Sequence, residues 1–179
     1  MKKKILIPAL ACLALLTSCG APETYTHSQI RQSFYAPQAK PKVRVMLEGD
    51  ETDFVSSDQE AKEQMRTAIG EALKEKGWEP TSQIKGSDYV LMCGFTLDDK
   101  PIGYTAVALT EGIFSVSENR VFVTRCPMWL KKVNAKGGPG EEVWNGVATN
   151  TSRRPQDMDV RTDMAISLIE QQLPSRSNR

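Results

Sequence analysis

The chain is predicted to fold as an α+β two-layer sandwich, with two helices on one face of a mainly antiparallel sheet of about four strands. Three observations lead there. Strand-like and helix-like segments follow in the order strand, helix, strand, strand, strand, helix, which sets the helices apart from a sheet meander. The first helix-like segment has a single apolar face built at three- and four-residue steps. The last two strand-like segments flank Gly137-Gly138-Pro139-Gly140, a turn signal that returns the chain antiparallel.

A length of 179 residues holds one such domain with appendages, since domains mostly run about 100 to 150 residues. Apolar residues at 40% and charged ones at 25% are ordinary for a chain that buries a core. With 23 Lys plus Arg against 22 Asp plus Glu, there is no basic excess of the kind a nucleic-acid binder carries. The one histidine, His27, leaves too little imidazole for His-based metal sites, catalytic triads or Cys-His dyads. No metal, no cofactor and no catalytic residue is expected.

Taken in order, Lys2, Lys3 and Lys4 precede an uncharged run from Ile5 to Leu16, the layout of an export signal. As a helix that run covers about 18 Å, short of the roughly 30 Å hydrocarbon core, which argues against a permanent span. Leu16-Thr17-Ser18-Cys19-Gly20 resembles the lipobox of bacterial lipoproteins. The resemblance implies that residues 1–18 are a signal peptide and that Cys19 becomes the acylated N-terminus, whose two or three chains make a durable anchor. Gly20 stands where an Asp typically retains enterobacterial lipoproteins in the inner membrane, so the outer membrane is favoured. Residues 19–41 carry Pro22, Pro37 and Pro41 and no apolar period, as a flexible tether does. Docking of Ile30, Phe34 and Tyr35 on the domain is the alternative.

The domain spans residues 42–174. Val43 to Leu47 is its first strand. Ser57 and Glu60 have the capping-box spacing, so a helix starts near Asp58, with Ala61, Met65, Ala68, Ile69, Ala72 and Leu73 on its buried face. Gly77 fits the left-handed position beyond its end, with Trp78 closing over Leu73. Asp88 to Leu97 is apolar on both alternating faces, a central strand that pairs with the first and supplies the only expected parallel pair. Arg120 to Val133 is a strand interrupted or bent at Pro127, and Glu142 to Thr149 returns antiparallel to it. Asp157, Asp159 and Asp163 open the final helix, as its dipole favours, and Pro174 ends it. Residues 175–179 are expected to fray, and residues 98–119, too apolar for a simple loop, to form a hairpin or an edge extension.

Gly77-Trp78, Asp88-Tyr89-Val90, Val143-Trp144-Asn145-Gly146-Val147-Ala148 and a last helix ending in Leu173-Pro174 come in an order that resembles the domain of unknown function 4136 family of small bacterial lipoproteins. The likeness covers roughly residues 41–174. It implies an α+β envelope lipoprotein and brings no established catalytic residues.

Cys93 and Cys126 are the thiols left in the domain, and two readings stay open: a disulfide, or two inert buried thiols. A bridge across their 33-residue separation stabilises by roughly 3 to 4 kcal/mol in the chain-entropy account. Trp78, Trp129 and Trp144 are the candidate recognition aromatics, against core packing or helix capping for each. Glu48, Asp50, Glu51 and Asp53 lack the alternation of a calcium loop and read as a solvated acidic loop. Asp98 with Asp99, or Glu111 with Glu118, are carboxylate pairs that any chain with 22 acids offers. The expectation is a non-enzymatic, outer-membrane-anchored lipoprotein facing the periplasm, an interaction or envelope-integrity module whose partner is an envelope protein or peptidoglycan. A glycan- or ligand-binding module is the alternative, with an envelope hydrolase behind it.

Overall fold

The computed structural model describes residues 24–30, 40–47, 59–108 and 114–175. The export signal, Cys19, the acidic loop after the first strand, Ser57, Asp58, Glu111 and residues 176–179 lie outside the described residues. The elements are β1 (Thr24–Ile30), β2 (Lys42–Leu47), α1 (Gln59–Glu75), β3 (Glu79–Thr81), β4 (Tyr89–Cys93), β5 (Thr96–Ala108), β6 (Phe114–Val133), β7 (Pro139–Ser152) and α2 (Met158–Gln172). They form one mixed sheet in the order β1-β7-β6-β4-β2-β3, with β5 paired to β6. Among the described residues no helix is long and apolar enough to cross a membrane.

Alternation decides which residues meet the helices. Val43, Val45 and Leu47 of β2 pair in register with Tyr89, Leu91 and Cys93 of β4, and Leu91 and Cys93 in turn oppose Leu130 and Met128 of β6. Those side chains share one face. Against them lie Met65, Ile69 and Leu73 of α1 and Met164, Leu168 and Ile169 of α2, in a single buried cluster. Each fully buried Leu, Ile or Met there contributes about 1.5–3 kcal/mol relative to exposure. Both helices therefore lie on one face, as expected.

Local chemistry sets the helix ends. The Gly77 amide donates to Lys74 O at 2.9 Å and the Trp78 amide to Leu73 O at 3.0 Å, a Schellman cap with Gly77 at φ 85°. Trp78 and Leu73 are both buried in the core. At the start of α2, Asp157 accepts from the Val160 amide at 3.1 Å.

The strand count differs from the expected four: the sheet has seven strands and two parallel pairs, β2–β3 and β2–β4. β3 is an edge strand of three residues containing Pro80, too short to announce itself. β1 falls within residues 19–41, where a tether was expected, and pairs antiparallel with β7 from Thr24↔Asn150 to Ile30↔Trp144. Its inward residues are polar and are held by side chains rather than by apolar contact. The Thr26 hydroxyl donates to Gln171 Oε1 at 2.7 Å and the Ser28 hydroxyl to Gln172 Oε1 at 3.0 Å, while Asn150 Nδ2 donates to Thr24 Oγ1 at 3.2 Å.

Pro127 neither ends nor divides β6. The Cys93↔Met128 and Thr96↔Arg125 pairings share one register, so β4 and β5 lie end to end along the same edge of β6. Between them Gly94 faces Pro127, whose carbonyl accepts from the Gly94 amide at 3.0 Å. A proline supplies no N–H for the return bond, so the ladder lapses on that side while pairing with β7 continues through Pro127↔Val147. Residues 98–108 and 114–119 form most of a long antiparallel β5–β6 pairing that runs on past Ser152, the last β7 residue paired to β6. β1 begins at that same end of the sheet, since Thr24, Asn150 and Thr124 are in line.

Candidate functional site

The sheet face turned away from the helices is where side chains of recognition type gather. Register places them in rows across β4, β6, β7 and β1: Met92, Trp129, Asn145 and Gln29 in one, then Pro127, Val147 and His27, then Arg125, Thr149 and Tyr25. Trp129, Met92, Pro127 and Val147 are half-buried, while His27 and Gln29 are exposed and Tyr25 is 64% exposed. At the β2–β4 side of this face, Val90 and Met46 are buried. Asn145 Nδ2 donates to Glu142 Oε1 at 2.8 Å, which fixes the amide beside the indole row. These rows make up a platform of side chains on the outer face of the sheet. It mixes aromatic, Met and Arg side chains, the types enriched at protein interfaces.

The three tryptophans part company. Trp129 lies on this platform. Trp144 is fully buried under α2, and Trp78 is buried at the end of α1, its Nε1 donating to Pro174 O at 3.2 Å and its ring meeting Tyr89 edge to face at 5.5 Å. Burial, and then the Asp88 carboxylate, push the Tyr89 phenol above its ordinary value. Trp144 faces inward by alternation, opposite buried Leu130, and β7 carries an extra residue beside it: Lys131 pairs with Glu142, leaving Val143 over. Such a bulge lets Val143 and Trp144 both join the core. Gly146 completes the arrangement, since a Cβ on it would lie 2.9 Å from the Trp144 ring and 3.0 Å from a Leu168 methyl. The Trp-x-Gly spacing is thus a packing solution for an indole beneath a helix.

The two domain cysteines meet: Cys93 Sγ and Cys126 Sγ are 3.6 Å apart and buried. Among the described residues no group of three or more His, Cys, Asp or Glu gathers to hold a metal ion. The carboxylates at the base of the hairpin are engaged separately. Asp98 pairs with Arg125, whose hydrogen bond and charge hold its carboxyl below the usual range, and Asp99 accepts from Arg120 Nε at 2.8 Å. Glu118 also pairs with Arg120, at 3.3 Å. Adjacent residues on a strand point to opposite faces, so Asp98 and Asp99 do not converge on one reaction centre. A groove of about 560 Å³ runs between α1 and the β2–β3 edge, lined by Arg44, Lys62, Arg66 and Lys74 with Glu63 and Glu71. Arg66 pairs with Glu63 and Lys74 with Glu71, so the four basic side chains exceed the two acidic ones by two.

Sequence reading did not place Met92, Pro127, Asn145 and Val147 on a common surface. Only the cross-strand register assembles them.

No protein-family model and no curated protein matches the chain. Solved structures do resemble it in fold. A PDZ domain protein from Parabacteroides distasonis is 10% identical with a TM-score of 0.53, covering 88% of this chain and 38% of that one. A PelC dodecamer from Paraburkholderia phytofirmans is 12% identical with a TM-score of 0.48, covering 87% of this chain and 100% of that one. A DUF4136 family protein from Bacteroides thetaiotaomicron is 16% identical with a TM-score of 0.41, covering 83% of this chain and 92% of that one. At these identities the likeness concerns the α+β fold alone.

Proposed function

We propose that this chain is a lipid-anchored lipoprotein of the bacterial outer membrane, facing the periplasm, whose domain binds another envelope protein and catalyses no reaction. The observation that carries the reading is the N-terminal order of three lysines, an uncharged run and Leu16-Thr17-Ser18-Cys19. The domain of unknown function 4136 family is the class to which the proposal assigns it. The β1 strand sharpens the reading. Only residues 20–23 separate Cys19 from Thr24, so extended chain holds that end of the sheet within about 17 Å of the acylated cysteine. The β5–β6 hairpin runs beyond the same end, and the anchor brings it to the bilayer side. The platform of Trp129, Met92, Tyr25 and Arg125 is the surface assigned to the partner protein, because its residue types are those of protein interfaces.

In-cell crosslinking of the full-length lipoprotein, read by mass spectrometry, tests this, with Cys19→Ala as the mislocalised control. A reproducible protein partner, lost in Cys19→Ala and weakened by Trp129→Ala, is the expected result. Recovery of muropeptide adducts alone would replace the protein-binding reading with a glycan-binding one, for which Trp129 beside the Asn145 amide is the favouring observation. Cys19→Ala protein that is still processed and membrane-bound to the same extent would overturn the anchor itself.

A further inference from the structure

We propose that Cys93 and Cys126 are joined by an intramolecular disulfide in the exported protein, a covalent tie between the β2–β4 half of the sheet and the β6–β7 half. The inference rests on the export reading above for its oxidising compartment and on geometry for its pairing. Cys93 is opposite Met128, and Cys126 sits two residues further along the same face of β6, so the cysteines are diagonal neighbours on adjacent antiparallel strands. The Gly94 amide bond to Pro127 O at 3.0 Å pins the pair of residues between them. Both side chains face the helices, and their sulfurs lie 3.6 Å apart. Bond formation has to bring the two sulfurs from 3.6 Å to roughly 2.05 Å, a short closure for side chains that already touch.

The oxidant is a disulfide donor of the thiol–disulfide oxidoreductase class. One cysteine thiolate attacks the donor disulfide, forming a mixed disulfide and releasing one donor thiolate. The other cysteine thiolate then attacks the protein sulfur of that mixed disulfide, forming the Cys93–Cys126 bond and releasing the second donor thiolate. The pair gives up two protons and two electrons, and the donor leaves as a dithiol. Cys93 is 2% exposed and Cys126 0%, so exchange takes place before β4 closes on β6, and the finished bond is shielded from thiols by α1 and α2. No third ligand gathers at the pair among the described residues, which separates it from a metal site.

The test is alkylation of the full-length protein extracted from envelopes directly into denaturant and iodoacetamide without reductant. The expected result is a linked pair of Cys93 and Cys126 peptides with neither sulfur alkylated, both becoming alkylated after reduction. Two alkylated cysteines on a chain with processed, acylated Cys19 would overturn the bridge and leave the export reading standing. An unprocessed chain would defeat the export reading instead. The bridge is then decided by refolding the full chain from denaturant in glutathione redox buffer, where linked peptides support the pairing and two alkylated thiols overturn it.

Discussion

One strand, β6, passes through two different surroundings. From Thr124 to Leu130 it has β4 or β7 beside it and helices above, and Thr124, Cys126, Met128 and Leu130 are all fully buried. Towards Phe114 it leaves β7 behind at Phe122, keeps only β5, and Glu118, Asn119 and Arg120 are exposed. Backbone pairing continues through both stretches, with a register shift between Pro101 and Gly103 in the arm and a lapse at Pro127 in the core part. What differs is the second layer, and isolated two-stranded ribbons are marginal in water without one. The core half therefore sets global stability, and the hairpin is a passenger on it, available for contacts outside the domain.

The largest break in that comparison comes from the core. Trp144→Ala empties the largest fully buried site beneath α2 and is expected to cost about 3–5 kcal/mol, read as a lower midpoint in chemical denaturation with the same steepness. Gly146→Ala comes next. Its added methyl enters the space held by the Trp144 ring and Leu168, and overpacking of this kind costs about 1–3 kcal/mol. A Gly146→Ala protein as stable as the parent would mean that α2 shifts freely on the sheet, and the division into a rigid half and a passenger would fail.

Shortening the arm is expected to do less than either. Asp99 pairs with Phe122, so replacing residues 100–121 with Asn-Gly makes a tight hairpin at that point. The shortened protein is expected to unfold in a single transition within about 1 kcal/mol of the parent, because among the described residues β5 packs mainly on β6 alone. A loss as large as that of Trp144→Ala would place the arm inside the cooperative unit. Binding to the partner, measured on the same protein, separates a functional arm from a structural one.

The sequence was legible where the physics is local. Gly77-Trp78 fixes its cap within one helical turn, and the α1 apolar face needs only its own spacing, so both are read from neighbouring residues. β1 was not legible, because its inward Thr24, Thr26 and Ser28 are satisfied by Asn150, Gln171 and Gln172, more than a hundred residues away. The fates of the three tryptophans were equally hidden. Alternation puts Trp144 beneath α2 and Trp129 on the outer face, and a one-residue bulge brings Val143 in beside Trp144, differences that no composition or motif expresses. Pro127 was legible in part: it marks the place where pairing lapses on the β4–β5 edge, opposite Gly94, while β6 itself runs on through it.

The smallest effect lies at the joint between the two regions. Arg125 on the core part of β6 holds Asp98 on β5, and its hydrogen bond, then its charge, lower the Asp98 carboxyl from the ordinary 3.8. A carboxyl that is more acidic in the folded chain than in the unfolded one binds fewer protons when folded. Its contribution is therefore fully present above about pH 3.8 and is lost as pH falls through the lower folded value. The pair is solvent-exposed and screened by salt, so the effect is expected to be slight, confined to acid and weaker as ionic strength rises. Carboxyl-detected NMR titration should give Asp98 a value below that of an unpaired aspartate, and Arg125→Gln should return it towards the ordinary one. Asp98→Asn should flatten the acid limb of stability against pH by lowering the plateau at neutral pH slightly, with the stability at low pH left where it was. If Asp98 titrates like an unpaired aspartate in the parent protein, the arm is not fastened to the core at this point, and its base is as loosely held as the rest of it.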